Sequence, residues 1–405
     1  MTHTLKIGFL PLVDACLPIL AQEHGFAEEE GLSLSFVRDM SWATVLDRLL
    51  FGHSDAAHLL APLAIATALG ISRPATPLVA PFVLGLNGNA ITLSPDLASR
   101  VLQGSEQDRL GDPHDVGKRL KAEALAAKAA GKPLRFGVVH RQSSHNYMLR
   151  YWLAECGVGP DTDVEIATVA PPFTADSLMA GEIDGTCVGE PWNSIAVDRG
   201  AGQIALATAQ IWRRGVEKVL ALREDRLDDQ RPQIEALIRA MRKAGAHFID
   251  PANWEVNARI LSRTEYCDAS HDIVLRAISD KLVLRQGGAA HSFPDFMFQH
   301  REAANFPWVS QAEWLYSQLV RWEAMDYDSH QADSAARVFR PDVYRSALKG
   351  TGDELPGASS KVEGSLSTPL AATAQQGSIT LNKNSFFDGS SFDPDQLEHY
   401  ILSQK

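Results

Sequence analysis

Two stretches of the sequence, LLFGHSDA at positions 49–56 and LMAGEIDG at positions 178–185, decide the fold of this chain. Each predicts the end of a helix, a glycine that stops it, and a turn into a strand that begins with aspartate. Two apolar segments, LKIG at 5–8 and LRFG at 134–137, predict strands that end in glycine. Both pairs of motifs are separated by 129 residues, as from Gly8 to Gly137. The shared offset indicates an internal repeat of two related βαβ units.

Each unit continues with matching parts. A helix is predicted at 16–24 in the first unit and at 144–156 in the second, where Ser144 is a suitable N-cap. A second strand is predicted at 32–38 and at 163–169. Open α/β sheets bind ligands at the carboxyl ends of their strands. The sequence therefore predicts an α/β fold of two lobes, with a ligand cleft between them.

The remaining segments predict the division of the chain. Residues 228–348 are mainly helical in pattern, 350–378 are rich in Gly, Ser, Thr and Ala, and three phenylalanines after 385 restore signals of order. The predicted parts are the first part of lobe 1 (1–93), lobe 2 (94–208), the return to lobe 1 with a helical C-terminal region (209–349), a linker or long surface loop (350–378), and a tail that docks on the body (379–405).

Composition excludes some classes of function. The chain has 405 residues and a net charge of −12, so direct nucleic-acid binding, which needs a basic face, is not expected. Its four cysteines are scattered and form no CxxC pair, so no metal site is predicted. The absence of P-loop, zincin and nucleophile-elbow motifs predicts a protein that is not an enzyme and uses no cofactor.

The first residues bear on the compartment. Met1-Thr2-His3-Thr4 leads directly into the first predicted strand, without the basic and apolar regions of a secretory signal. The sequence contains no run of 18 apolar residues, so no membrane span is predicted. We expect a cytoplasmic protein that makes no membrane contact. The alternative is that an upstream signal sequence precedes this start.

Candidate anion-binding residues follow the strands of the second unit. His145 comes after two serines at the start of a predicted helix, where free N–H groups attract anions. Gly189 and Glu190 lie in the turn VGEPWN after the next strand, and Gly189 allows a backbone to approach a ligand closely. The alternatives are a helix cap with a surface histidine, and a tight turn packed by Trp192.

The first unit and the return strand offer further candidates. Trp42 has an indole N–H that could reach a ligand, and His58 follows the strand that begins near Asp55. Lys218 precedes the return strand and would bring a full positive charge into the cleft. The alternatives are a core tryptophan, a structural histidine and a solvated lysine. The Asn-Gly-Asn turn at 87–89 is interpreted as a hinge element.

These motifs together resemble the nitrate/bicarbonate-binding family of solute-binding proteins, which has the type II periplasmic-binding fold. The resemblance spans most of residues 5–350, and its most specific part is CVGEPWN at 187–193. It implies a pocket built from a tryptophan, a histidine, a lysine and the Gly-Glu turn. The matching positions here are Trp42, His145, Lys218, Gly189 and Glu190. His58 stands where nitrate binders commonly carry glutamine.

Within that family, this chain resembles the cytoplasmic nitrate/nitrite sensors, because it shows no export signal. This resemblance implies that the protein holds an ANTAR-domain response regulator, an RNA-binding antiterminator, and releases it when nitrate or nitrite binds. Control of nitrate-assimilation genes would follow. The alternative is the substrate-binding component of an ABC transporter for nitrate or a related small solute. A thiamine-pyrimidine synthase on the same fold would need a local Cys/His cluster, which the sequence lacks.

The predicted ligand follows from hydrogen-bond chemistry. Nitrate has acceptor oxygens only, so it needs donors and preferably one full positive charge, which Lys218 supplies. Bicarbonate carries an O–H and can use a carboxylate acceptor. Because a carboxylate beside an anion is unfavourable, Glu190 is expected to pair with Lys218 or His145 and to orient it.

Overall fold

The structure is a computed structural model that describes residues 2–103 and 109–404. Residues 1, 104–108 and 405 of the predicted ranges lie outside the described residues. The strands of the described part are β1 (His3–Phe9), β2 (Leu32–Arg38), β3 (Ala56–Leu60), β4 (Leu78–Asn87), β5 (Asn89–Leu93), β6 (Leu134–Val138), β7 (Val164–Thr168), β8 (Gly185–Gly189), β9 (Gln203–Ala207), β10 (Val216–Arg223), β11 (Lys281–Val283), β12 (Ala290–Ser292), β13 (Met297–Phe298), β14 (Leu370–Thr373) and β15 (Ser378–Leu381).

The α-helices of the same residues are α1 (Cys16–Glu23), α2 (Phe26–Glu29), α3 (Trp42–Leu50), α4 (Ala61–Ala68), α5 (Pro95–Val101), α6 (Pro113–Ala129), α7 (Ser144–Glu155), α8 (Thr174–Met179), α9 (Trp192–Asp198), α10 (Thr208–Ile211), α11 (Glu224–Asp229), α12 (Arg231–Ile249), α13 (Trp254–Leu261), α14 (His271–Ile278), α15 (Val309–Trp322), α16 (Ser329–Val338), α17 (Pro341–Ala347) and α18 (Leu397–Ser403). Of the helices in residues 2–103 and 109–404, none combines the length and apolar character that a membrane crossing requires.

Two separate sheets form the cores of two lobes. The first has the strand order β13-β4-β10-β3-β1-β2, and the second has the order β7-β6-β8-β5-β9. In each sheet the strands of the βαβ unit are parallel, and a strand from elsewhere in the chain joins them in the antiparallel direction. Central strands such as β3, β5 and β8 are buried along their whole length, as expected for sheets covered on both faces.

The repeat predicted from the sequence is present in the structure, down to single hydrogen bonds. The Asp55 carboxylate accepts from the Lys6 backbone N–H at 2.8 Å, and the Asp184 carboxylate accepts from the Arg135 backbone N–H at 2.8 Å. The glycines three positions before these aspartates both have positive φ, at 72° for Gly52 and 67° for Gly181. Glycine is the residue that adopts this helix-ending conformation without strain.

The chain passes between the lobes at two neighbouring places. The first crossing lies at Gly88, between β4 of the first sheet and β5 of the second, and not at residue 93 where the sequence division placed it. The return crossing runs from α10 to the start of β10. Asn87 joins the two crossings, because its backbone N–H donates to Gly215 O and its side-chain amide donates to Arg213 O.

The segment at 350–378 packs against the body instead of forming a free linker. The Arg345 guanidinium donates to the carbonyl oxygens of Pro356 and Ala358 at 2.9 and 2.6 Å, and Glu363 is fully buried, where Ser310 Oγ donates to it. The strands β14 and β15 form a hairpin within and after this segment. Composition predicted a linker or long surface loop here, because it does not show the contacts with Arg345 and Ser310 that anchor the segment.

The tail runs across both lobes. The Phe386 ring stacks on Trp212, with ring centroids 5.1 Å apart, and packs on Trp314 of α15. The Tyr151 hydroxyl of α7 donates to Asp388 Oδ2 at 2.8 Å. Helix α18 then packs on α15, where Trp314 Nε1 donates to the hydroxyl of Tyr400. The tail therefore holds a helix of the second lobe against a helix that packs on the first.

Candidate functional site

Lys218 places a buried ammonium at the facing edges of the two lobes. It lies on β10, which runs antiparallel to β3, so the start of β10 lies beside the carboxyl end of β3, with Lys218 opposite Leu60. Its side chain has no exposed surface. Its Nζ donates to Asp14 Oδ2 at 2.8 Å and to Glu217 Oε1 at 2.6 Å. An ammonium has three donors, so one N–H remains for a ligand.

Two imidazoles flank the carboxylates that bind Lys218. His58 Nε2 lies 2.9 Å from Asp14 Oδ1, and His145 Nδ1 lies 3.3 Å from Glu217 Oε1. Neither ring makes a hydrogen bond of acceptable angle within the described residues. The Trp42 ring completes this side of the site, with its centroid 5.3 Å from the His58 ring centroid and 5.3 Å from Lys218 Nζ.

Several buried donors around Lys218 have no hydrogen-bond partner among residues 2–103 and 109–404. They include Trp42 Nε1, Asn89 Nδ2, Ser144 Oγ and the one N–H of each neutral imidazole, His58 and His145. Buried polar groups in folded proteins are almost always hydrogen-bonded, so a cluster of unpartnered donors needs an explanation. A ligand with several acceptor oxygens would satisfy them together.

The start of α7 brings His145 to the cleft, and the buried, unpartnered hydroxyl of Ser144 precedes it in the chain. Ser143, not Ser144, is the N-cap, because its Oγ accepts from the backbone N–H of Asn146 at 3.1 Å. The prediction that Ser144 caps this helix is therefore wrong by one position. The shift leaves the Ser144 hydroxyl free, and it places Ser144 and His145 in the first turn, where the helix dipole favours negative charge.

Gly189 lies at the end of β8, where a side chain would crowd its neighbours. A Cβ built at this position would lie 3.0 Å from Leu12 Cδ2 and 3.1 Å from Asn89 Oδ1. The first contact belongs to the opposite lobe. The glycine therefore lets the backbone of the second lobe approach the first lobe and the polar groups of the site.

Glu190 does not orient Lys218 or His145. Its Oε2 accepts from the backbone N–H of Ser194 at 3.3 Å, in the first turn of α9, and its Oε1 has no partner among the described residues. Asp14 and Glu217 are the carboxylates that contact the cation and the imidazoles. The predicted pairing is wrong because the chain bends back at Pro191 and directs Glu190 toward its own helix.

Three site residues were missed by sequence reasoning: Asp14, Asn89 and Glu217. Asn89 had been interpreted only as part of a hinge turn, yet both atoms of its amide are buried and unpartnered. Glu217 had a usable signal, because it lies beside Lys218 in a mostly apolar strand, VEKVLALR, and such a strand is typically buried on both faces. Asp14 had none, since the loop after β1 has no regular pattern.

Burial and neighbouring charge set the protonation of the cluster. Burial lowers the pKa of Lys218, but the carboxylates of Asp14 and Glu217 outweigh it and raise the pKa above its ordinary value. Burial raises the pKa of Asp14, but Lys218 and His58 bring it well below its usual range. These two groups are therefore an ionised pair. Burial also raises the pKa of Glu217, which Lys218 only partly offsets.

The imidazoles of both lobes are uncharged at neutral pH, and Glu190 titrates near it. Burial lowers the pKa of His145, and Lys218 adds to that effect, so the pKa lies well below its usual range. Burial also lowers the pKa of His58, although Asp14 opposes it. Burial raises the pKa of Glu190 to about 7. Both imidazoles are neutral at neutral pH and present one donor each.

The lobes are in contact around the site. The backbone N–H of Val13 donates to Glu190 O at 2.9 Å, and Trp192 Nε1 donates to Pro11 O at 3.2 Å. The side chains of Trp42, His58, Asn89, His145 and Lys218 are at most 1% exposed. A ligand can exchange with solvent only if the lobes separate. Among residues 2–103 and 109–404, no group of three or more His, Cys, Asp or Glu side chains has the arrangement of a metal site.

Comparisons with known proteins identify relatives of this fold. The sequence model of the NMT1-like family matches residues 1–262. The nitrate/nitrite binding protein NrtA of Nostoc sp. (strain PCC 7120) is 29% identical over 100% of this chain and 86% of that protein. The bicarbonate transport ATP-binding protein CmpC of Synechocystis sp. (strain PCC 6803) is 32% identical over 86% of this chain and 50% of that longer protein.

A solved structure shows the same architecture. The crystal structure of the periplasmic nitrate-binding protein NrtA from Synechocystis PCC 6803 matches with a TM-score of 0.85 and 24% identity. The match covers 100% of this chain and 99% of that chain. The predicted two-lobed, periplasmic-binding-protein-like fold is thereby confirmed. Because the match includes the tail, the segment after 350 is part of this architecture.

Proposed function

Because the chain belongs to the NMT1-like family, whose periplasmic-binding-like relatives include nitrate-binding proteins, we propose that it is a solute-binding protein for nitrate or nitrite. The observation that carries this proposal is the fully buried Lys218, surrounded by unpartnered donors from both lobes. A planar oxyanion offers acceptors in several directions, which is the complement of this set. The lone N–H left on Lys218 adds a charge-assisted bond.

We propose that nitrate and nitrite bind more tightly than bicarbonate or sulfate. Bicarbonate could donate its O–H to an unpartnered acceptor such as Glu190 Oε1 or Asn89 Oδ1, so the proposed preference for nitrate is supported by the similar nitrate-binding proteins. Sulfate carries two charges, and a buried cluster with one cation for two carboxylates cannot balance them. The residues proposed to contact the anion are Trp42, His58, Asn89, His145 and Lys218, with the backbone at Gly189 and Glu190 closing the site.

We propose first that the anion-bound protein delivers its ligand to an ABC transporter. Its support is that the similar proteins are named as a nitrate/nitrite binding protein and as a transport ATP-binding protein. In this role the closed lobes are recognised by a membrane permease, which opens them. The ligand must bind the closed form more tightly than the open form for such a cycle to work.

The second candidate task is cytoplasmic sensing, as the resemblance of the motifs implies. In this role the same closure changes a surface that holds an ANTAR-domain regulator, and the regulator is released. The two tasks share the pocket and differ in the partner. Recovery of the regulator with the apoprotein, and its loss on addition of nitrate, would favour sensing over transport.

Calorimetric titration with nitrate, nitrite, bicarbonate and sulfate tests the ligand. We expect saturable one-to-one binding of nitrate or nitrite, and binding at least about tenfold weaker for the other two anions, which corresponds to about 1.4 kcal/mol. Absence of heat for all four anions, in a protein shown to be folded by circular dichroism, would contradict the proposal. If bicarbonate binds more tightly than nitrate, bicarbonate becomes the assigned ligand of the site.

A further inference from the structure

The buried groups around Lys218 have no positive charge to spare. Lys218 Nζ contacts two carboxylates, Asp14 at 2.8 Å and Glu217 at 2.6 Å. The charges of Asp14 and Lys218 cancel, and Glu217 brings a second carboxylate to the same ammonium. The three side chains are buried: Asp14 is 5% exposed, Glu217 3% and Lys218 0%. The cluster is therefore neutral if Glu217 is protonated and negative if it is ionised.

A bound monovalent anion would add another negative charge to this cluster. Uncompensated charge in a buried site is strongly unfavourable, and groups there change protonation rather than remain unbalanced. The excess charge lies at the Glu217 end, because Asp14 has both Lys218 and His58 as neighbours. His145 lies at that same end, with its Nδ1 3.3 Å from Glu217 Oε1 and with both ring nitrogens unpartnered.

We propose that this cleft takes up its anion together with one proton, which is held by the pair His145–Glu217. This inference rests on the proposed function and specifies its chemistry: the ligand is an oxyanion plus a proton. The protonated pair gives the anion a donor on His145 and removes the excess negative charge. Lys218 and Asp14 remain ionised throughout. The same step explains why a site for an anion contains two carboxylates.

The groups that face this pair do not replace it as the proton carrier. From β10 it faces Lys218, from the loop before α1 it faces Asp14, and from β3 it faces His58. From β8 it faces Cys187, where burial raises the pKa of the thiol beyond its usual range, so the thiol stays neutral. Glu190, after β8, bonds instead to the backbone of Ser194 in the first turn of α9.

The sign of the pH dependence follows from linkage. Burial and Lys218 hold the pKa of His145 well below its usual range without ligand, and a bound anion raises that pKa. Between these two values, binding consumes a proton. The affinity therefore falls as pH rises, by up to about tenfold for each pH unit when one proton is taken up.

Calorimetry of the full chain with sodium nitrate tests the inference directly. The binding enthalpy is measured at pH 7 in buffers of different ionisation enthalpy, and the slope gives the number of protons taken up. We expect a value near one and a dissociation constant that rises from pH 6 to pH 8. Nitrate binding with no proton uptake and a flat pH profile would overturn the inference and leave the proposed function intact. Absence of nitrate binding at every pH would overturn both.

Variants locate the proton. Glu217→Gln removes the excess carboxylate and should bring the proton count close to zero, with a flat pH profile. His145→Gln should do the same and serves if Glu217→Gln does not fold. The matched control is His247→Gln, at a half-buried histidine that packs on His24 outside this cluster, with ring centroids 4.0 Å apart. A proton count that both site variants leave unchanged would overturn the assignment to this pair.

Discussion

The first lobe brings the ionised groups, which already have partners, to the cleft together with the unpartnered Trp42 and His58, whereas the groups that the second lobe brings are mainly neutral and unpartnered. Lys218, Asp14 and Glu217 form a connected set on the first-lobe side. Asn89 and the start of α7 supply unpartnered donors from the other side. The buried charge is therefore stabilised within one lobe, and the opposite lobe completes the recognition of the ligand.

This division has a consequence for opening and closure. Because Lys218 keeps both carboxylates when the lobes separate, the open form does not leave a bare ammonium in the cleft. The second-lobe donors can be hydrated in that form, and they lose water on closure. Closure is then favourable only if a ligand replaces the water, since unpartnered buried donors are costly. The first lobe would hold the charge, and the second lobe would make closure depend on the ligand.

The strongest test of this comparison is removal of the buried cation. Lys218→Glu should abolish nitrate binding, and Lys218→Met, which keeps the length without the charge, should weaken it on the order of 1,000-fold. Both changes leave Asp14 and Glu217 without their ammonium, so the melting temperature should also fall. Calorimetry and thermal unfolding measure the two effects.

The control for this change is a lysine outside the cleft. Lys243→Met removes a half-exposed ammonium that pairs with Glu29 and Glu30 on the surface. It should leave the nitrate dissociation constant unchanged. Nitrate affinity within tenfold of the original in Lys218→Met, which keeps a folded circular dichroism spectrum, would contradict the assignment of charge to the first lobe.

A smaller loss is expected when one second-lobe donor is removed. Asn89→Ala should weaken nitrate binding by about 1–3 kcal/mol, or about 5- to 150-fold, because a ligand acceptor loses its donor in a buried site. Folding should be little affected, since neither amide atom has a hydrogen bond of good geometry within the described residues, although the amide also lowers the pKa of the nearby Glu217. Asn253→Ala, at an amide that bonds to His247 O, is the matched control. Equal affinity in both variants would remove Asn89 from the site.

Glu190 offers a test through stability and pH. Burial raises its pKa from 4.5 to about 7, so the folded protein binds this proton more tightly than the unfolded chain does. Its contribution therefore favours folding below pH 4.5 and is lost as pH rises from 4.5 to 7. Glu190→Gln should stabilise the protein at pH 8 by on the order of 2 kcal/mol and have little effect at pH 4.

Urea unfolding at both pH values measures this difference. Glu182→Gln, at an exposed carboxylate in the turn before β8, is the control and should change stability at neither pH. A stabilisation by Glu190→Gln that is the same at pH 4 and pH 8 would mean that Glu190 does not carry the raised pKa. Destabilisation at pH 8 would mean that the hydrogen bond from the Ser194 N–H outweighs the cost of burying the ionised carboxylate.

Much of the fold could be predicted because its signals are local. The glycines at the ends of helices and the aspartates that follow them recur at one offset, and the offset alone predicts two βαβ units. The positions of Trp42, His145 and Lys218 follow from the rule that ligands bind at the carboxyl ends of strands. The structure brings all three to one buried cluster.

The polar connections within the site could not be predicted in the same way. The contact of Lys218 with Asp14 joins residues 204 positions apart, and neither side chain reveals its partner by spacing. Asn89 lies in a turn motif whose backbone role hides its side chain. Glu190 was assigned to the wrong partner because its distance along the chain from His145 and Lys218 does not show which way the turn directs it.

The smallest expected effect is a loss of stability when the matching aspartate in either half of the repeat is removed. Asp55→Ala and Asp184→Ala each remove a carboxylate that accepts a backbone N–H at 2.8 Å, so each should destabilise its lobe by about 1 kcal/mol. Asp55 also pairs with Arg226 at 3.0 Å, and this partly exposed pair should add a few tenths of a kcal/mol at most. Urea unfolding measures both.

Neither aspartate change should alter nitrate binding. Asp55 and Asp184 precede β3 and β8, at the amino ends of strands whose carboxyl halves carry His58 and Gly189. Calorimetry that shows more than a tenfold loss of affinity in either variant would contradict this separation. Matched losses of stability with unchanged affinity would show that the repeat serves the scaffold, while recognition depends on residues that the two halves do not share.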